Sequence, residues 1–336
     1  MEIRNDVLAL VQEEILEPER PIVDPHHHFF DEMSFFQNYS LDDLWADTGT
    51  HNVEQTVFIE CSEHHRKSGP KALMPVGETE WVDGIAAESR RGPAGASRVA
   101  AIVGTANLSL GDEVQEVREA HIEASSLFRG IRDTAAWAEG EGVHQSSRTG
   151  DANMYDSAAF RAGFAKLAPL GLSFDGYHYH TQTLTMAALA RAFPDTTIVV
   201  DHLSTPLGIG PFAGKRDEIF EAWAKDMSTL AGCPNVNVKL GGMAMPWNGF
   251  GWDEAERPPT SDEFVAVQRR YYQHAIEAFG PDRCMFESNF PVDKLSLSYP
   301  VLWNAFKKIA ARYSEDEKES LFRGTASRVY KIAPLE

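Results

Sequence analysis

The sequence predicts an α/β fold, a (β/α)8 barrel of eight parallel strands alternating with helices, with an N-terminal helical extension. Two observations carry this reading. Short apolar, β-branched runs recur eight times, separated by helical stretches. Histidines and charged residues gather where these runs stop, and in such a barrel that is the functional end.

The runs are Pro21–Asp24, Gln55–Glu60, Arg98–Gly104, Leu127–Arg132, Leu172–His178, Thr197–His202, Asn235–Leu240 and Arg283–Ser288. Among the helices, Leu184–Phe193 stops before Pro194. Asp217–Leu230 sets Ile219, Phe220, Trp223, Met227 and Leu230 on one side. Asp262–Phe279 starts behind a Ser261 cap and ends at Gly280-Pro281. Tyr299–Arg312 and Ser314–Phe322 follow. Two long loops, 133–156 and 241–261, have the length of lids or substrate loops. Residues 1–19 read as one amphipathic helix outside the barrel, packed on it or on a partner subunit. The expected division is therefore an extension over 1–19 and a barrel over 20–336, with homo-oligomerisation left open.

With 43% hydrophobic residues, the 336-residue chain has ample material for a core, which excludes disorder as its main state. Thirty-one Lys and Arg against 50 Asp and Glu give a formal charge of −19. That surface repels phosphate backbones and anionic lipid, so neither nucleic acid nor membrane is an expected partner. The acidic N-terminus lacks the cationic start of a secretory signal. Cys61, Cys233 and Cys284 are odd in number and form no close pair, the pattern of free thiols in a reducing cytoplasm.

The residues that end each strand supply the candidate site. His26 and His28 are two apart, so an extended chain turns them to one side and His27 to the other. His178, His180 and Gln182 share a face in the same way, and Asp201-His202 ends the sixth run. Three of eight strands thus end in histidine, which suits a divalent metal, zinc first and manganese second, or polarisation of a substrate oxygen. Arg129 and Arg132 in the fourth run suit capture of a carboxylate, with an ion pair to Asp133 or another acid as the structural alternative. Lys239, before Gly241-Gly242, reads as a barrel-end cation or the partner of a carboxylate. Glu60 ends the second run. A hydrolase needs a base to activate water, and the eighth run offers Glu287 and Asp293. Asn289 can only hydrogen-bond a substrate.

The ordered segments DPHHHFFD, FRGIRD, YHTQ, IVVDHLSTPLG, VKLGGM and RCMFESNFPVDK resemble the amidohydrolase-related family, and within it the lactonase-like branch of TIM-barrel hydrolases. The likeness spans roughly residues 20–332. It implies a distorted (β/α)8 TIM barrel that hydrolyses at a carbonyl. The strand-one pair maps onto His26 and His28, the strand-six histidine onto His202, and a strand-five histidine onto His180, together a metal set. In many relatives the eighth strand ends in an aspartate; here that position is Asn289, and Asp293 or Glu287 is left to replace it.

The leading expectation is therefore hydrolysis of a small, anionic lactone or related cyclic ester or amide. His202 and a carboxylate would act in catalysis, Arg129, Arg132, Lys239 and Gln182 would bind substrate, and one divalent ion would sit on the histidines. A decarboxylase or hydratase on the same barrel, and a binding protein without turnover, are the alternatives.

Overall fold

The computed structural model describes residues 1–31 and 36–335. The eight strands are β1 (Ile22–His27), β2 (Val53–Ile59), β3 (Arg98–Thr105), β4 (Phe128–Thr134), β5 (Ser173–Tyr177), β6 (Ile198–Val200), β7 (Val236–Leu240) and β8 (Cys284–Phe286). They form one sheet in chain order, and neighbouring strands are parallel. Just past β8 the backbone closes the ring: Asn289 N–H donates to His26 O at 2.9 Å, and His28 N–H donates to Phe290 O at 2.8 Å. The helices are α1 (Asn5–Leu8), α2 (Leu41–Thr48), α3 (Val76–Arg91), α4 (Val114–Ala124), α5 (Ala158–Phe164), α6 (Thr183–Ala192), α7 (Arg216–Ala231), α8 (Ser261–Phe279), α9 (Tyr299–Ala310), α10 (Glu315–Glu319) and α11 (Thr325–Val329).

Two apolar layers hold the barrel. Outside the strands, Phe174, Trp223, Phe264, Phe286, Trp303 and Phe306 bury against the helices. A second cluster joins Val23, Val57, Ala101, Val199 and Met285 of the strands to Val329, Tyr330 and Ile332. Gln55, early in β2, donates to Ala333 O, and Arg129, early in β4, donates to Tyr330 O. The C-terminal segment therefore plugs the end where the strands start, which leaves the opposite end for the site.

The helix expected over residues 1–19 is present only as Asn5–Leu8. No side chain caps it, and tertiary bonds beyond it replace helical ones. The Glu13 carboxylate accepts from Ser261 N–H (2.7 Å) and Ser261 Oγ (2.5 Å), placing an anion at the first turn of α8. Leu16 N–H donates to Asn304 Oδ1, and Lys307 Nζ donates to Leu16 O and Glu17 O. The segment is thus fastened along α8 and α9. The cap of α8 is Thr260 rather than Ser261, with Glu263 completing a capping box. The three cysteines are unpaired. Among the described residues, no helix is long and apolar enough to cross a membrane.

Candidate active site

At the end of β1 the alternation predicted from sequence holds. His26 and His28 turn to one side with their Nε2 atoms 3.2 Å apart. His27 turns away between Phe29 and Phe58, and burial lowers its pKa to about 3. His28 Nδ1–H donates to Ile59 O at 2.8 Å, which leaves its Nε2 as the lone pair. Burial lowers both His26 and His28 well below the usual imidazole range.

His202 arrives by an unusual backbone. Four consecutive residues, His202, Leu203, Ser204 and Thr205, have φ of 54°, 55°, 56° and 39°. The left-handed region costs a non-glycine residue about 1–2 kcal/mol each. The turn is held from several sides. Trp223 Nε1–H donates to Leu203 O at 2.7 Å, and His202 N–H donates to Glu287 Oε1 at 3.2 Å. The result aims the His202 ring at Glu287, and Nδ1–H donates to Oε1 at 2.7 Å. Two glycines make room. A Cβ on Gly242 (φ +61°) would lie 2.1 Å from His202 Nδ1, and one on Gly241 would lie 2.4 Å from Glu287 Cγ.

Glu287 Oε2 lies 2.9 Å from His26 Nδ1. Burial alone would raise this carboxyl, but the charges and hydrogen bonds of His202 and His26 hold it down at about 2. Beneath the histidines, Lys239 Nζ stands 2.7 Å from Asp175, 3.1 Å from Asp201 and 3.2 Å from His26 Nδ1. All these side chains are fully buried.

The group fits a divalent cation. Donor atoms of His26, His202 and Glu287 lie within 4.8 Å of one another. Two buried carboxylates, Asp175 and Asp201, share the Lys239 ammonium, and Asp201 Oδ2 has no hydrogen-bond partner among the described residues. The 3.2 Å between the Nε2 atoms of His26 and His28 matches neighbouring ligands around a tetrahedral zinc with Zn–N of about 2.0–2.1 Å. The His28 bond to Ile59 O is the kind of second contact that orients metal-bound imidazoles.

A cavity of about 280 Å³ opens above this group. Its polar wall includes His28, Glu60, Arg132, Tyr177, His202 and Asn289, and its apolar wall Phe30, Met245, Trp247 and Val292. Arg132 Nε donates to Glu60 Oε1 at 2.8 Å, and Nη2 donates to the Glu60 carbonyl. Burial opposes it, yet the charges of Glu60 and Asp201 raise the guanidinium above its ordinary value.

Several expected site residues lie elsewhere. Arg129 sits near the start of β4 and binds the carbonyls of Tyr330, Ser126 and Phe128, at the plugged end. His180 accepts from Leu207 N–H and packs on Phe212, apart from the metal-capable group. Gln182 spends its amide on backbone atoms of Ala135, Ala152, Trp137 and Tyr179, tying loops together. Lys239 is sealed under the histidines, so it pairs carboxylates rather than touching substrate. Asp293 is fully buried, outside the cavity wall, and accepts from Asn289 Nδ2 (2.9 Å) and Ala244 N–H (3.1 Å). Burial pushes it up to about 7. It orients Asn289. Glu287 serves two histidines and does not face the cavity. Of the two arginines expected to capture a carboxylate, Arg129 is remote from the cavity and Arg132 is paired with Glu60.

Asp175 and Asp201 complete the buried group and are not among the expected site residues. Their signal was there: Asp175 interrupts the apolar run Leu172–Tyr177, and Asp201 directly precedes His202. In the loop 241–261, Trp247 lines the cavity, whereas Phe250 stacks on Trp252 and under Arg216.

Comparison with known proteins shows the family and agrees with the fold. Residues 23–332 match the amidohydrolase family, and the chain belongs to it. The chain is 33% identical over 333 residues to the uncharacterized protein y4mH of Sinorhizobium fredii, covering 93% of this chain and 98% of that one. It is 26% identical over 317 residues to an L-fucono-1,5-lactonase of Burkholderia ambifaria, covering 92% and 95%. The crystal structure of an amidohydrolase from Burkholderia multivorans with bound zinc superposes with a TM-score of 0.73, at 22% identity, over 94% of this chain and all of that one.

Proposed function

We propose that the protein hydrolyses a small lactone in the cavity above His26, His28 and His202. One observation carries the reading: His202 lines the cavity while its Nδ1–H is committed to Glu287, so its remaining lone pair, on Nε2, is a proton acceptor whose conjugate acid a buried carboxylate stabilises. The likeness to a lactonase of Burkholderia ambifaria supports the choice of a cyclic ester.

In this reading water gives its proton to His202 Nε2 as its oxygen attacks the lactone carbonyl. Glu287 holds the tautomer and stabilises the imidazolium that forms. His202 then returns the proton to the ring oxygen as the C–O bond breaks, and a hydroxy acid leaves. Asn289, held by Asp293, offers its remaining amide hydrogen to substrate oxygen. Phe30, Met245 and Trp247 shield the site from bulk water. When bound, a divalent ion held by the imidazoles of His26, His28 and His202, with Glu287 bracing the His26 and His202 rings from behind, would polarise the carbonyl, lower the pKa of water and take over the His202 lone pair.

Proton release on a panel of lactones, with carbon dioxide measured in parallel, tests this. Acid without carbon dioxide supports it, and carbon dioxide release points to decarboxylation. Metal analysis and chelation then decide how the lone pair is used. Activity that survives chelation assigns it to the proton; activity lost and restored by zinc or manganese assigns it to the ion.

A further inference from the structure

We infer that Glu60 determines specificity, reserving the Arg132 wall for hydroxyl groups and turning carboxylates away, so that the lactone taken is an uncharged, hydroxyl-bearing ring. The inference rests on the lactonase reading for the reaction and on the Glu60–Arg132 geometry for the charge.

Arg132 is the only Arg or Lys among the described residues lining the cavity. A free guanidinium there would capture a carboxylate through two parallel bonds. Here the fork is already engaged. Nε donates to Glu60 Oε1 at 2.8 Å, and Nη2 donates to the Glu60 carbonyl. What remains is Arg132 Nη1 as a donor and Glu60 Oε2 as an acceptor, neither bonded to another described residue. A hydroxyl both donates and accepts, so it can use the two together. A carboxylate has no proton to give Oε2 and would place a second negative charge beside Glu60. Both residues are largely buried, with side-chain exposures of 12% for Arg132 and 9% for Glu60, so water screens that repulsion poorly. Ser62, Thr134, Ser146 and Tyr177 line the same cavity and add hydroxyl-compatible partners without charge. The residue the sequence marked for anion capture is therefore neutralised by Glu60, the acid that directly follows β2.

The test compares aldono-1,4-lactones with the matching aldaro-1,4-lactones, which carry a carboxylate in place of the terminal CH2OH. Wild type is expected to favour the neutral ring by about tenfold or more in kcat/KM, and Glu60→Gln to shift that ratio by about tenfold or more toward the carboxylate. Glu60→Asp should keep the wild-type preference, which separates charge from damage to the fold. Hydrolysis with carboxylate lactones preferred, or a ratio unchanged in E60Q, overturns the inference and leaves the lactonase reading standing. If no lactone is hydrolysed, the lactonase reading fails. The charge inference is then decided by calorimetric Kd for the same pairs. Tighter neutral binding that narrows in E60Q upholds it; equal or tighter carboxylate binding, or no neutral binding, overturns it.

Discussion

His202 Nδ1–H donates to Glu287 Oε1 at 2.7 Å, and this bond ties the end of β6 to the end of β8 across the mouth of the barrel. Its two ends are 85 residues apart in sequence. It fixes which nitrogen of His202 faces the cavity, and His26 shares the same carboxylate. Replacing Glu287 by Gln keeps the shape but removes the charge that favours Nδ1–H and the imidazolium. We expect kcat to fall by about 100-fold or more with little change in KM. Steady-state kinetics of E287Q check this, and an unchanged kcat contradicts the role.

Gly242 faces the same ring. A Cβ there would lie 2.1 Å from His202 Nδ1 and 2.3 Å from Cγ, at a φ of +61°. Gly242→Ala should cost about 1–2 kcal/mol of stability from the backbone alone. By displacing the His202 ring it should also lower kcat by about 100-fold. Urea unfolding and turnover of one preparation measure both.

Protonation away from the site sets part of the acid limit. His121 stacks on Phe128, accepts from Thr79 Oγ1 at 2.8 Å and donates from Nε2 to Thr105 O at 3.0 Å. Burial lowers its pKa to about 4, below an unfolded value of about 6.5. Between these values the unfolded chain binds more protons, so the stability from neutral His121 is complete above pH 6.5 and drains away as pH falls toward 4. The loss amounts to about 3 kcal/mol relative to a non-titrating variant. Unfolding of wild type and His121→Gln at pH 7 and pH 4 should show wild type losing that advantage. A difference that does not change with pH contradicts it.

Much of this architecture is legible in the sequence because it is local. Eight apolar runs give eight strands, and a spacing of two puts His26 and His28 on one side whatever surrounds them. The position of Arg129 was legible too: second in its strand, it lies at the end where strands start, and only Arg132, three residues on, reaches the mouth. What could not be read is pairing across strands. Nothing near Glu60 shows that it meets Arg132, 72 residues away, and nothing near Glu287 shows that both its oxygens serve histidines. The helix expected at the N-terminus lost to bonds with Ser261 and Asn304, some 250 to 290 residues along the chain.

The central claim is that histidines from separate strands meet at one cavity and that His202 carries the chemistry. Its most direct measurement is proton release from the preferred lactone by His202→Ala and wild type, with circular dichroism confirming an intact barrel. The account predicts a fall in kcat/KM of about 1,000-fold or more. Turnover by H202A within about twofold of wild type, well inside one tenfold step of 1.4 kcal/mol, would contradict it.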